Sequence, residues 1–306
     1  MAESTTTIAI AGGSGFIGQA IARRLSRLPG YRVRVLSRSP NRARSRLESI
    51  RADFVRGDLT DPNLLESAVR GAAVIVNAAQ FDGFPVENPR LGLTFERVDH
   101  LGCVALLEAA KAAGARHFVY LSGLGADEHS SHPAFRAKGR AEAAIRRSGL
   151  NYTIFRPSIV VGQGDRVTSM LARALRFSPV IVLPGSGQQQ LQPVWVEDLA
   201  ACVALTIKAP QARTFEIGGP EQMTLDDLTR LVMNVTGYRR PVLHAPQSLM
   251  KLVATLGERL PRPILSRDAV SFLLVDSVCD TKPLVEALGI RLTPAREALA
   301  YLATRS

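Results

Sequence analysis

The chain has 306 residues, 46% of them hydrophobic and 21% charged, which suits a full α/β core with a smaller appended lobe and excludes a disordered chain. No apolar run reaches the ~18 residues needed to cross a bilayer, and residues 1–7 are polar with no Lys or Arg, unlike a secretory or mitochondrial leader, so the expected compartment is the cytoplasm. Three scattered cysteines, Cys103, Cys202 and Cys279, argue against a disulfide framework or zinc knuckle and read as small core residues, and no His, Cys or acidic cluster has metal-ligand spacing.

In chain order, residues 7–11 form a short apolar run that ends in glycines, and residues 15–28 follow with helical spacing. Strands are expected over 31–36 and 52–56. Residues 61–69, with Pro62 in the first turn, read as a helix. A fourth strand spans 73–78, and residues 91–113 look like one long Ala- and Leu-rich helix closed by Gly114. Then come a strand over 116–122, a helix over 134–147 closed by Gly149, and a strand over 151–156. Such alternation predicts an α/β fold of Rossmann type, a doubly wound parallel sheet with right-handed crossovers. After Pro157, glycines and prolines break the chain into shorter pieces, with a strand at 180–183, and residues 193–209 and 214–217 supply one more helix and strand for the sheet. The expected division is a dinucleotide-binding domain of 1–160 plus about 192–217, and a smaller, mostly helical lobe of about 161–191 and 218–306.

The net charge of +11 is uneven: residues 23–56 hold eleven arginines and two acids, Glu48 and Asp53, a balance of +9. Such a patch suits nucleic acid, an anionic membrane or a phosphorylated small molecule. The segment before it favours the last. In Gly12-Gly13-Ser14-Gly15-Phe16-Ile17-Gly18, the glycines at 12, 15 and 18 join a strand to a helix. They permit a tight turn, close approach of backbone N–H groups to a pyrophosphate and close helix–strand contact. About twenty residues on, where an acid would hold a ribose 2′-hydroxyl, stand Ser37 and Arg38, followed by Arg42. Two guanidinium groups and no carboxylate suit a 2′-phosphate, so the expected cofactor is NADP(H). Arg44, Arg46 and Arg51 read as solvated surface. Nucleic-acid binding ranks last, because the arginines are partly explained and aromatics are only 6%.

With these motifs in order, the chain resembles an atypical member of the extended short-chain dehydrogenase/reductase superfamily. The resemblance is to the branch holding the NADPH-binding accessory subunit of respiratory complex I and its bacterial relatives. It rests on the glycine loop, Gly57-Asp58-Leu59-Thr60-Asp61, Asn77-Ala78-Ala79, Tyr120-Leu121-Ser122, Arg156-Pro157-Ser158 and Pro193-Val194-Trp195-Val196-Glu197-Asp198-Leu199-Ala200. Phe215-Glu216-Ile217-Gly218-Gly219-Pro220-Glu221, followed by Thr224, resembles the branch's C-terminal lobe. By position, the resemblance implies that Asp58 and Leu59 flank the adenine, Ala78 and Ala79 line the cofactor's path, and Pro157 and Ser158 lie by the nicotinamide.

Active members of the wider family carry Tyr-x-x-x-Lys on one helix face, where the lysine holds the nicotinamide ribose and the phenol transfers a proton. Here the run is Phe135-Arg136-Ala137-Lys138, with Ser122 thirteen residues earlier in the position of the partner serine. Lys138 remains, but a benzene ring has no labile proton. His129 and His132 read as loop residues, although His132 is a conceivable proton donor. Tyr120 reads as core, and Trp195 as packing between the lobes.

Two readings stay open. One is an NADP(H)-dependent oxidoreductase acting on a hydrophobic, quinone-like or conjugated acceptor, whose proton demand is modest. The other is a catalytically silent NADPH-binding structural, assembly or redox-sensing protein. Residues 246–260, with Leu249, Met250, Leu252, Val253, Leu256 and Leu260 beside Lys251 and Arg259, also suit peripheral contact with a membrane or simple packing in the smaller lobe. Nothing in the sequence fixes an oligomeric state.

Overall fold

The computed structural model describes residues 5–257, 270–271 and 274–303. Strand and helix alternate as the hydrophobic periods require. β1 (Thr6–Ala11), β2 (Tyr31–Ser37), β3 (Ala52–Arg56), β4 (Val74–Asn77), β5 (His117–Leu121) and β6 (Asn151–Pro157) are each followed by a crossover. The helices α1 (Phe16–Ser26), α2 (Pro40–Arg46), α3 (Pro62–Val69), α4 (Gly102–Ala112) and α5 (Pro133–Arg147) lie within the first five crossovers. All strands of this sheet are parallel, in the order β3-β2-β1-β4-β5-β6 and then Arg213–Ile217. The order reverses between β1 and β4, so a crevice opens at their carboxyl ends, where doubly wound sheets take ligands.

β1 shows how one strand builds two cores. Ile8 and Ile10 face a cluster with α1 and α7 (Val196–Lys208), whereas Ala9 and Ala11 face the opposite cluster with α3, α4 and α5. This is the two-residue period of a strand buried on both faces.

The long helix expected over 91–113 is interrupted. Gly92, at φ +68°, ends a 3₁₀ turn at Pro89–Leu91. The Thr94 side chain then accepts from the Arg97 N–H, and Phe95–Leu101 is π-helical before it runs into α4. Two helices lie where no helix is expected from the periodicity. α2 buries only Ala43, so it has no apolar stripe to read, and α6 (Val167–Phe177) follows a glycine-broken stretch.

A second core gathers Leu171 and Leu175 of α6, Ile181 and Leu183, Leu228 and Val232 of α8 (Leu225–Thr236), and Leu299. α8 starts in a reciprocal cap, with Thr224 and Asp227 bonding each other's backbone N–H groups. Trp195 packs against both this core and the sheet's. Leu284 and Leu292, from the C-terminal stretch, join the sheet's core. Of the apolar helix expected over 246–260, Gln247–Gly257 forms α9, while Arg259, Leu260 and Arg262 lie outside the described residues. No helix among the described residues is long and apolar enough to cross a membrane.

One buried histidine ties stability to pH. His117 on β5 is 1% exposed, and its Nε2 lies 3.0 Å from Thr153 Oγ1 on β6. Thr153 Oγ1 donates to the Gln211 carbonyl, so the neutral imidazole donates to Thr153. Burial pushes the His117 pKa down to about 4. The unfolded chain therefore binds a proton between about pH 6.5 and 4 that the native state refuses, and stability falls as pH falls through that window. The loss reaches on the order of 3 kcal/mol if the full shift is expressed. Urea unfolding across this range should show that slope, and His117→Gln should flatten it.

Candidate functional site

The carboxyl ends of β1, β4, β5 and β6 open into one cavity of about 1260 Å³ that continues along α6 to Ile181–Pro184. Its first end is built by the glycine loop. Gly12 has φ +74°, and a Cβ there would stand 2.5 Å from the Ala78 carbonyl oxygen and 2.6 Å from Ala79, so the turn lies directly against the end of β4. A Cβ on Gly18 would stand 2.1 Å from the Gly12 carbonyl oxygen. Gly18 and Gly13 are buried, Gly13 against Val35, and neither lines the cavity; they are contact glycines. Gly12, Ser14, Gly15, Phe16 and Ile17 do line it.

α1 begins at Gly15 with no side-chain cap and no acid in its first turn. Its leading N–H groups thus meet the cavity without a competing side chain, the condition for binding an anion. Gln19 holds the loop in shape by donating to the Ser14 carbonyl at 2.8 Å, and Arg23 in turn bonds Gln19 at 3.0 Å. A dinucleotide's pyrophosphate fits this cradle: a side chain at either Gly12 or Gly18 would abolish it, and no side chain among the described residues caps it.

Ser37, Arg38 and Arg42 line the same end, and so do Arg23 and Arg46. Arg46 is exposed, as expected of solvated surface, and also lines this end of the cavity. Arg42 and Arg46 are four residues apart on α2 and share its cavity face. Arg44, on another face, lies over the Phe54 ring at 5.7 Å. Arg38 is engaged by Asp82 at 2.7 Å, both side chains being well exposed. Asp82 belongs to the segment after β4, where Phe81 and Phe84 pack edge-on with Phe95 at centroid distances of 5.1 and 5.7 Å. Arg166 closes this segment from the other side, donating to the Phe84 carbonyl.

Asp58, Leu59, Ala78 and Ala79 line the middle of the cavity. The Asp58 carboxylate folds back on its own turn, accepting from Thr60 N at 2.9 Å and Thr60 Oγ1 at 2.8 Å. Asn77 Oδ1 accepts from Ala79 N at 3.2 Å and shapes the exit of β4.

Ser122, Phe135, Lys138, Pro157 and Ser158 also line the cavity, so the residues implied by the family resemblance converge. Their polar groups are already engaged. Ser122 donates to Glu142 Oε1 at 2.6 Å, and the fully buried Glu142 also receives Arg156 at 2.9 and 2.7 Å and Arg146 at 2.6 Å. The Glu142 hydrogen bond raises the Arg156 pKa, against the opposing effect of burial. Ser158 donates to the Ser277 carbonyl at 2.5 Å. Lys138 Nζ stands 3.3 Å from Asp99 Oδ1, with side chains 11% and 1% exposed.

Asp99 comes from the π-helical stretch, a distortion that recurs at functional sites. Burial pushes its carboxyl above the ordinary aspartate range, and Lys138 opposes that shift. Cys103 and Tyr120 lie in the same dry region, and burial pushes the thiol up to about 12 and the phenol well above its usual value. Tyr120 is core, as its sequence position suggests, with Lys138 5.8 Å above its ring. His132 lies against Phe135, ring centroids 4.9 Å apart, while His129 is 87% exposed. Among the described residues no group of three His, Cys, Asp or Glu side chains is arranged to hold a metal ion.

Asp82, Asp99 and Arg46 are the site residues that sequence reasoning missed. Arg46 carried a signal, its spacing of four from Arg42. Asp82 carried none, because it meets Arg38 across 44 residues.

Comparison with known proteins agrees with this geometry. Residues 12–175 match the model of an NAD(P)H-binding family, and residues 136–218 that of the NAD dependent epimerase/dehydratase family. The chain is 30% identical over 246 residues to ceramide reductase of Caulobacter vibrioides, covering 80% of this chain and 75% of that protein. It is 25% identical to the mitochondrial NADH dehydrogenase (ubiquinone) 1 alpha subcomplex subunit 9 of Arabidopsis thaliana, covering 87% and 69%. The fold superposes on UDP-glucose 4-epimerase of Thermotoga maritima with a TM-score of 0.75 at 21% identity, covering 96% of each chain.

The Glu142 network yields a stability test. Glu142→Ala leaves Arg156 half-buried without its principal partner and should cost about 3–5 kcal/mol, read as a lower urea midpoint.

Proposed function

As the chain belongs to the NAD(P)H-binding family of atypical short-chain dehydrogenase/reductases, we propose that it is an NADP(H)-dependent oxidoreductase acting on an apolar, quinone-like or conjugated acceptor. The choice of NADP(H) is carried by the arginines Arg23, Arg38, Arg42 and Arg46 around one end of the cavity. Asp82 is the carboxylate that reaches Arg38, and it does so in a well-exposed pair, worth about 0–1 kcal/mol. A phosphate dianion outbids such a partner.

In this reading the N–H groups of Ser14, Phe16 and Ile17 hold the pyrophosphate, with Gly12 and Gly15 giving close approach and the Gly15 N–H closing the turn on the Gly12 carbonyl at 2.9 Å. Ser37, Arg38 and Arg42 take the 2′-phosphate, Asp58 and Leu59 flank the adenine, and Ala78 and Ala79 line the path between. Lys138 holds the nicotinamide ribose, and Pro157 and Ser158 border the nicotinamide. When bound, the cofactor supplies a hydride. Phe135 contributes an apolar wall and no proton. Lys138 Nζ stands on the cavity wall, and Asp99 faces it from behind at 3.3 Å. Beyond them the cavity is apolar, lined by Phe84, Phe135, Met170, Leu171 and Val182. An acceptor that spreads charge by conjugation needs little acid assistance, which is what this wall can offer.

A second reading, a cofactor-binding accessory or assembly protein, is favoured by the Ser122 hydroxyl proton going to Glu142 and by the likeness to a subunit of a larger dehydrogenase. Mixing the protein with NADPH and soluble quinones separates the two. Oxidation followed by absorbance supports the oxidoreductase, and tight binding with no oxidation supports the accessory protein. If the site geometry is otherwise intact, Phe135→Tyr should give carbonyl reduction that the parent lacks.

Cofactor choice is tested by fluorescence titration. Arg38→Ala should weaken NADPH binding about tenfold or more and leave NADH unchanged, and Asp82→Asn should strengthen NADPH alone. Equal affinity of the parent for both cofactors would overturn the assignment.

A further inference from the structure

Among the described residues the apolar end of the cavity is open. Leu91, Met170, Val182 and Val275 line it and are also 70%, 68%, 54% and 40% exposed, so they form its rim. Two more apolar side chains extend the rim. Phe177, 73% exposed, is flanked along α6 by the lining residues Ala174 and Ser178, and Leu243, 56% exposed, is paired in register with Val182. Single exposed apolar residues are ordinary on a protein surface; several around the mouth of an apolar cavity mark an interaction site.

The charges around the rim are mostly positive. Met170, Arg173 and Phe177 share the outer face of α6, while Leu171 and Leu175 are buried in the lobe core. α6 also carries Arg176, its guanidinium 5.3 Å above the Phe177 ring, and no acid. Arg166 precedes the helix, and Arg240 donates to the Leu175 carbonyl at 3.1 Å, adding a cation at the helix C-terminal end. Three acids also line the cavity: Asp82, paired with Arg38; Asp165, buried and accepting from Thr168 Oγ1 at 2.7 Å; and the exposed Asp276, accepting from the Gln190 N–H at 2.8 Å.

We propose that this rim docks on an anionic lipid bilayer, which presents the apolar acceptor directly to the cavity mouth. The proposal rests on the cavity being a site for an apolar acceptor. Apolar side chains interleaved with arginines fit the boundary between acyl chains and anionic headgroups, where each cation adds electrostatic attraction and each apolar group adds burial. A second copy of the chain is a poorer occupant, because a symmetric contact would set the same arginines against one another in a protein of net charge +11. The surface differs from the helix over 246–260 that the sequence suggested for this role, and it leads into the cavity.

The test is flotation of the full chain with vesicles of phosphatidylglycerol and phosphatidylcholine, against vesicles of phosphatidylcholine alone, without cofactor or acceptor. Binding should require phosphatidylglycerol, weaken with salt, and fall about tenfold or more in Met170→Glu/Phe177→Glu. The same fall is expected in Arg173→Glu/Phe177→Glu, whose residues lie on the rim and do not line the cavity. NADPH affinity of this second variant, set by the other end of the cavity, should be unchanged and reports that it is folded. No binding by the parent at low salt overturns the proposal, as does undiminished binding by this folded variant. Loss of binding in Arg42→Ala/Arg46→Ala with the rim variant unaffected also overturns it, since the cofactor end would then be the lipid contact. Because vesicle binding is read without turnover, a protein that docks yet oxidises no NADPH with any quinone fails the functional reading and not the docking surface.

Discussion

The contact between the Gly12 carbonyl and Gly18 is the constraint from which the site follows. With 2.1 Å between that oxygen and the position of a Cβ, no other residue fits at 18 while α1 starts this close to the end of β1. The same turn presses Gly12 against Ala78 and Ala79, drawing the ends of β1 and β4 together at the point where the sheet reverses its winding. Gly15 then opens α1 with no side-chain cap. A helix N-terminus leaves its first N–H groups without intrahelical partners; that of Gly15 goes to the Gly12 carbonyl at 2.9 Å, and those of Phe16 and Ile17, residues that line the cavity, are left to it. Close packing and anion affinity are thus consequences of one backbone geometry.

The charges at the two ends of this cavity differ in kind. Arg38 and Asp82 meet in water, where an ion pair contributes little and exchanges readily for a better partner. Lys138 and Asp99 meet in a dry region, where losing either partner would strand a buried charge. The first pair is an adjustable contact at the mouth, and the second is fixed framework that also faces the cavity. The Glu142 cluster is framework of the second sort, joining α5 to β6 and to the end of β5 through Arg156 and Ser122. α5 therefore holds Phe135 and Lys138 in place whether or not a reaction follows.

The sheet strands and the glycine loop were legible because burial on both faces leaves continuous apolar runs and because glycine is required where backbones nearly touch. The break at residues 91–94 was not, since an Ala- and Leu-rich pattern continues through it while Gly92 and Thr94 reset the backbone. α2 was missed because it buries a single alanine. Within the site, the lining residues on strand ends followed from motif order. Asp82 and Asp99 did not, because their roles depend on a loop conformation and a π-helical turn that set contacts 44 and 39 residues away in the chain. Arg46 was assigned to solvent for want of a helix on which to place it beside Arg42.

What remains at the nicotinamide end is a division between holding and reacting. Phe135 keeps the volume of the family's tyrosine without its proton, and its ring lies against His132. Ser122 gives its proton to Glu142, so it meets a ligand chiefly as an acceptor. Lys138 is different. An ammonium carries three donors, and Asp99 balances its charge without consuming all of them. Burial raises the Asp99 carboxyl pKa and the neighbouring Lys138 opposes that rise, so each partner depends on the other in this dry region. Under the proposed oxidoreductase reading such a site would grip a ribose through Lys138 but lacks the phenol that gives a proton to a simple ketone, which is why that reading assigns an acceptor that spreads charge by its own conjugation.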